Sequence, residues 1–242
     1  MVKTLNCTNG TRFVNAYNLL DHSLRTQYNF KNNISFSDLI RRCASLNQVI
    51  RLYEDDLIDL ARLRNAIIHS KSEQVIAEPH NDVVELMEKV AKIISTPPAA
   101  LQALKHTTVD VIAAESSLKD YIIMSAKVGH SNIPVYKRNM LIGVMQRHSF
   151  LEQLGLVIGT GNVSIDQYLG TTTIEQFFHE RPAHEHFRIV SARATIEEVL
   201  AIFGDRKLTA VIITDNGTSG GNLKGIVTNA DIIGLMQILD DY

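Results

Sequence analysis

The chain has no tryptophan, only five prolines and only two cysteines in 242 residues. Cys7 and Cys43 make no metal-ligand spacing and no disulfide framework, so both thiols are expected to be free in a reduced compartment. No apolar run approaches the ~20 residues that span a bilayer. Met1 to Gly10 lacks the apolar core of a secretion signal, and a cytoplasmic setting is the expectation. Without secretion, the sequon-like Asn162-Val163-Ser164 and Asn216-Gly217-Thr218 carry no glycan meaning. An excess of one charge is also missing: 24 Lys and Arg against 26 Asp and Glu leave a net charge of -2. That disfavours a generic nucleic-acid coat. What the chain does have is apolar residues, 45% of the total, enough for two ordinary domains.

Two stretches share one pattern. The first runs through Val109 to Ala113, Ser117-Leu118, Ile133-Pro134-Val135 and Leu141-Ile142-Gly143-Val144-Met145. The second runs through Phe187 to Ala192, Thr195-Ile196, Thr209 to Ile212 and Leu223-Lys224-Gly225-Ile226-Val227. Each reads strand, helix, strand, hairpin, strand, helix. Asp215-Asn216-Gly217 is a turn signal, and Lys137-Arg138-Asn139 stands at the matching place. Ser116 or Ser117 can cap the first copy's helix, and Thr195 with Glu198 resembles a capping box.

The second copy ends in Gly225-Ile226-Val227-Thr228-Asn229-Ala230-Asp231. A hydroxyl at a strand end, a carboxylate three residues on and a helix start combine the means of holding a phosphate and a ribose. Thr228 acting only as an N-cap is the other reading. On these residues the two copies resemble CBS domains, the paired repeats named after cystathionine beta-synthase. The resemblance implies a tandem pair that binds an adenine nucleotide, whether AMP, ADP, ATP or a related dinucleotide. Thr228 would face phosphate and Asp231 the ribose hydroxyls, with Gly225 in the same motif. Ile189, Val190, Thr209 and Ala210 would hold the base. Arg206, Lys207 and Arg147 are candidates for phosphate charge, against the reading that they are solvated. In the first copy, Gly143 is retained, but Gln146 stands at the threonine position and Ser149 at the aspartate position. One competent and one degenerate cleft are expected.

Residues 1–97 have helical periodicity and no clear strands. Phe13, Ala16, Leu19, Leu20 and Leu24 fit one amphipathic helix. Leu39, Ile40, Cys43 and Leu46 fit a second, opened by Ser35 or Ser37. Ile50, Tyr53, Leu57, Leu60 and Ile67 fit a third, from about 49 to 68. Val83, Leu86, Met87, Val90, Ile93 and Ile94 fit a fourth, capped by Asn81 and stopped by Pro97-Pro98. Four such helices make an up-down bundle. The fold class is therefore α+β in two domains: an all-α bundle over 1–97 and the repeat pair over 98–242, with repeats at about 105–155 and 165–242.

The third helix closes on Arg64-Asn65-Ala66-Ile67-Ile68-His69. One reading makes His69 a helix-terminal histidine and Arg64 an ion-pair residue. The other is that Arg64, Asn65 and His69 resemble the signature of HEPN domains, small helical bundles of many bacterial RNases and toxins. That resemblance implies a metal-independent endoribonuclease, with His69 moving the proton, Arg64 holding phosphate and Asn65 orienting either. A regular helix would place Arg64 and His69 roughly 140° apart, so the helix must end near Ile68 or a second subunit must complete the site. A homodimer is expected, with RNA as a possible substrate, an antitoxin-like protein as a possible partner, and no membrane. The alternative function is a non-enzymatic nucleotide sensor whose helical domain only dimerises or binds a partner. His179, His184 and His186 with Glu180 and Glu185 read as a polar loop, and no metal is required. Gly155 to Gly161 precedes no phosphate-binding lysine and is no P-loop.

Overall fold

The computed structural model describes residues 8–68, 78–104, 108–161, 164–180 and 186–242. It divides into two units, Met1–Pro98 with Ile238–Tyr242, and Ala99–Gln237.

The first unit is helical, as its periodicity predicts. Its helices are α1 (Asn9–Gln27), α2 (Phe36–Ala44), α3 (Gln48–Leu52), α4 (Glu54–Ile67) and α5 (Asn81–Ser95). Side-chain oxygens open three of them: Thr8 accepts from the Thr11 N–H, Ser35 from Asp38 and Asn47 from Ile50, each satisfying a helix donor that lacks a partner. The expected third helix is two. Tyr53 leaves helical geometry (φ -107°, ψ 17°), and α4 restarts with Glu54, Asp55 and Asp56 in its first turn, where the helix dipole favours acids. His80, not Asn81, is the N-cap of α5.

Phe13, Leu20, Leu24, Leu39, Ile40, Ile50, Leu57, Ile67 and Met87 form the centre of this core. Two expected core residues are outside it: Leu19 is 45% exposed and Leu46 58%. Leu19 sits about 100° from Leu20, and the stripe is too narrow for both. Leu46 lies past the end of α2, where helical spacing no longer applies. On α5 Val84 is fully buried while Val83 is only half-buried. The Arg12 guanidinium grips Glu88 with two bonds, 3.0 and 2.7 Å, tying α1 to α5. Residues 238–242 join this unit. Lys89 donates to the Asp240 carbonyl (2.7 Å), Lys92 to the Tyr242 carbonyl (2.6 Å), and the Tyr242 hydroxyl to Thr96 O (2.9 Å).

The second unit opens with α6 (Ala100–Ala103) and builds the two repeats. The first comprises β1 (Ile112–Ala113), α7 (Leu118–Val128), β2 (Asn132–Lys137), β3 (Met140–Gln146) and α8 (Arg147–Thr160). Then come α9 (Ile165–Thr171) and α10 (Ile174–Glu180); α10 reaches His179 and Glu180, which the sequence reads as part of a polar loop. The second repeat comprises β4 (Phe187–Ser191), α11 (Ile196–Ile202), β5 (Ala210–Thr214), β6 (Leu223–Thr228) and α12 (Ile232–Asp241). Each repeat forms a three-stranded sheet, β1-β2-β3 or β4-β5-β6, with a parallel first pair and an antiparallel second pair. Capping boxes open α7 (Ser117 with Asp120) and α11 (Thr195 with Glu198). Arg138 and Asn139 both take positive φ, 47° and 64°, the geometry a tight hairpin needs.

The inner faces of the two sheets pack on each other through Leu141 and Val144 from one and Phe187, Ala210 and Ile212 from the other. The repeats also exchange their leading segments. Ile174 and Phe177 of α10, ahead of the second repeat, lie in the first repeat's core beside Tyr121 and Phe150. Backbone bonds fix them: Leu118 N–H to Thr172 O, Ile174 N–H to Ser116 O and Glu175 N–H to Ala114 O, all 3.0 Å. Conversely, Ala100 N–H donates to Ala194 O of the second repeat (2.9 Å).

Cys43 is fully buried, and burial pushes its thiol up to about 11. In a Cys7→Ser variant at about pH 8, the remaining thiol is expected to resist a disulfide reagent until guanidinium unfolds the protein. Rapid labelling of the native protein would contradict this packing.

Candidate functional site

The β6–α12 junction is built by strand pairing. Ala210 pairs with Thr228 and Phe187 with Ala210, so the starts of β4 and β5 and the end of β6 share one edge of the sheet. Thr228 is the last strand residue. The helix begins at Ile232, so Asp231 stands at its N-cap position rather than just inside it. Thr228 does not cap α12. Its N–H and hydroxyl both donate to Asp231 Oδ2, at 2.8 and 2.9 Å, and Asp231 N–H returns to Thr228 O at 3.0 Å. This closed ring fixes the carboxylate and leaves Oδ1 without a partner among the described residues. The first N–H groups of α12 add donors with no intrahelical acceptor. The junction thus offers an acceptor for vicinal hydroxyls beside donors for an anion.

The other expected residues distribute unevenly. Arg206 and Lys207 are exposed in the loop before β5, toward the edge that carries Thr228. Thr209 directly precedes β5 there and Ala210 begins it, with Ala210 fully buried. Ile189 packs on the core between the sheets. Val190 follows it in the strand and points to the opposite face, so the two cannot hold one ring between them. Gly225 also has another role. The third strand of each repeat carries one extra residue against its neighbour, with shifts at Val135/Tyr136 and Ile213/Thr214. Gly143 pairs with Val135 and Gly225 with Ile213, each beside that bulge, where glycine is favoured. A Cβ on Gly225 would stand 2.8 Å from Leu104 Cδ1 and 3.3 Å from Leu101 Cδ1. Gly225 makes room for the α6 segment.

The matching junction of the first repeat is neutral. Ser149 donates its hydroxyl to Gln146 Oε1 (3.1 Å), and the Gln146 amide donates to Thr209 Oγ1 of the second repeat. Gln146 is only 9% exposed. Arg147 is engaged elsewhere: it donates to the carbonyls of Gly129 (3.2 Å) and His130 (3.1 Å) past the end of α7, where a cation is favoured.

In the helical unit, Arg64 has no carboxylate partner among the described residues. Its guanidinium lies 5.7 Å from the Tyr17 ring centroid, and its Nε is buried without a hydrogen bond. Tyr17 is pushed up to about 12, mainly by burial and then by Asp21. Asn65 is exposed, with Oδ1 3.5 Å from Arg64 Nη1. The helix stops at Ile67 and Ile68 is extended, so the helical rotation does not continue past Ile68. His69 itself lies outside the described residues, as do His184 and Glu185. Among the described residues no three metal-ligating side chains gather, and His186 Nδ1 lies 3.2 Å from Lys207 O. A shallow depression of about 410 Å³, lined by Val109, Val111, Tyr136, Asn139 and Leu223, contains none of the expected site residues. No helix among the described residues is long and apolar enough to cross a membrane.

Residues 183–238 match the family model of the CBS domain, so the second repeat carries a CBS domain. Similar solved structures include the CBS domain of a bacterial CNNM/CorC family Mg2+ transporter in complex with ATP, at 17% identity and TM-score 0.45, over 63% of this chain and 95% of that one. Another is CBSX2 in complex with AMP, at 14% identity and TM-score 0.44, over 58% and 98%. A third is the CBS domain of a membrane protein from Sphaerobacter thermophilus, at 12% identity and TM-score 0.43, over 57% and 87%. No curated protein matches the chain.

Because the atoms facing Gly225 are the ends of two flexible leucines, Gly225→Ala is expected to cost about 1 kcal/mol. That would lower the melting temperature by about 2–4 °C. An unchanged melt would show that Leu101 and Leu104 do not crowd this position.

Proposed function

We propose that this chain is a regulatory protein in which the repeat pair, both halves of CBS type, senses an adenine nucleotide and controls the helical domain. The observation that carries the reading is the Thr228–Asp231 ring at the strand-to-helix junction, inside the segment that matches the CBS family model. Asp231 Oδ1 would accept from the ribose hydroxyls. The Thr228 hydroxyl would turn from Asp231 to a phosphate oxygen, joined by the leading N–H groups of α12. Arg206 and Lys207 would add charge from the neighbouring loop. Thr209 and Ala210 line the same edge, toward the base.

Melting the protein with AMP, ADP and ATP tests this. At a hundred times the dissociation constant, a true ligand adds about 2.7 kcal/mol of stability. Asp231→Ala is expected to weaken binding roughly 10- to 100-fold, the worth of a hydrogen bond to a charged group. Flat calorimetry with every adenylate would refute the reading.

For the helical domain, the absence of a carboxylate partner for Arg64 among the described residues favours the endoribonuclease version over a purely structural ion pair. Here Arg64 takes the phosphate, Asn65 orients it and His69 moves the proton. RNA is the substrate, a homodimer completes the site, and an antitoxin-like protein is a fitting partner. Purified protein is expected to cleave RNA without added metal, and His69→Ala to lose about 10²- to 10⁴-fold. Equal cleavage by that variant would leave the non-enzymatic sensor, with a helical domain that only dimerises or docks a partner.

A further inference from the structure

The three polar contacts at the first repeat's junction run in one direction. Ser149 O–H donates to Gln146 Oε1, Gln146 Nε2 donates to Thr209 Oγ1, and Thr209 Oγ1 lies 3.3 Å from Asn132 Oδ1. Asn132 is the cross-strand neighbour of Gln146 on β2. The relay therefore leaves the first repeat, enters the second at the residue before β5, and returns. Thr209 directly precedes Ala210, the partner of Thr228. Thr209 N–H is anchored to His186 O at 2.8 Å. A threonine at position 146 is too short to make this crossing. An aspartate at 149 has no proton to give Gln146 Oε1.

We propose that the Gln146 carboxamide is an inter-repeat latch. It fills the first repeat's half-site with the protein's own amide and ties it to the strand edge beside Thr228, so that the pair takes one nucleotide per chain. The stoichiometry rests on the adenylate reading above. The latch itself does not.

The two parts separate experimentally. The latch is tested on ligand-free, full-length protein by a double-mutant cycle of Gln146→Ala and Thr209→Val, read as melting temperature. Each single variant is expected to lower it by about 2–6 °C, and the double to fall little further than the worse single. Independent, additive losses or no loss would overturn the latch. If Gln146→Ala does not fold, Gln146→Met, which keeps the length and removes the donor, takes its place in the cycle. Calorimetry with AMP and ATP then tests the closure: one equivalent per chain in the parent, two in Gln146→Thr/Ser149→Asp. Two equivalents in the parent, or one in the double variant, would overturn it. No binding by the parent to any adenylate, with a coupled melting cycle, would refute the adenylate reading and keep the latch.

Discussion

Each three-stranded sheet of the second unit has an apolar face that must be covered. One strand in the first is only two residues long, and sheets of this size need a covered apolar face to be stable. The cover is the other sheet. Leu141 and Val144 meet Phe187, Ala210 and Ile212, and all five are buried there. That mutual burial is the constraint from which the rest follows. It places the strand edges of the two repeats together, brings Gln146 within reach of Thr209, and gives the chain its exchange of leading segments. Those segments close the opposite faces. Ile174 and Phe177 enter the first repeat's core, and α6 lies over Gly225.

Much of this was legible in the sequence because it is local. Capping boxes, the tight hairpin at Arg138-Asn139 and the amphipathic stripes of α1, α2 and α5 depend on neighbours a few residues apart. The order of strands and helices in both repeats followed from the same signals. What was not legible depends on long-range partners. Nothing in Ile174-Glu175-Gln176-Phe177 says which core it will enter. Gly225 looked like a ligand residue because its motif is compact, and only the bulge and the two leucines give it a packing role. Arg147 looked available until the carbonyls past α7 were placed beside it. The break at Tyr53 falls within an unbroken apolar periodicity and leaves no sequence signal except the acids that follow.

The two junctions show how one side chain sets the direction of a site. A carboxylate has only acceptors. Asp231 is therefore held from behind by its own strand, through the Thr228 N–H and hydroxyl, and keeps an oxygen for donors that arrive from outside. An amide has both donors and an acceptor. Gln146 satisfies its acceptor with Ser149 and has an N–H to spare, which it spends inward on Thr209. The same backbone geometry thus yields an outward-facing acceptor in one repeat and an inward-facing bond in the other.

This asymmetry bears on regulation. A ligand moves an equilibrium only by the difference in its affinity for the two states. In a pair with two equivalent clefts, either half can open or close, and the response is divided between them. On the proposed reading, with one junction closed by the protein's own amide, ligand energy at Thr228 and Asp231 would act against a fixed partner surface. Motion in the second repeat must then strain the Gln146–Thr209 contact or move with it. α12 starts at Ile232, directly after Asp231, and its residues from Ile238 onward belong to the helical unit. Under the proposed adenylate reading, coupling of this kind would be reciprocal: a partner that favours one position of that end of α12 would change nucleotide affinity by the same factor.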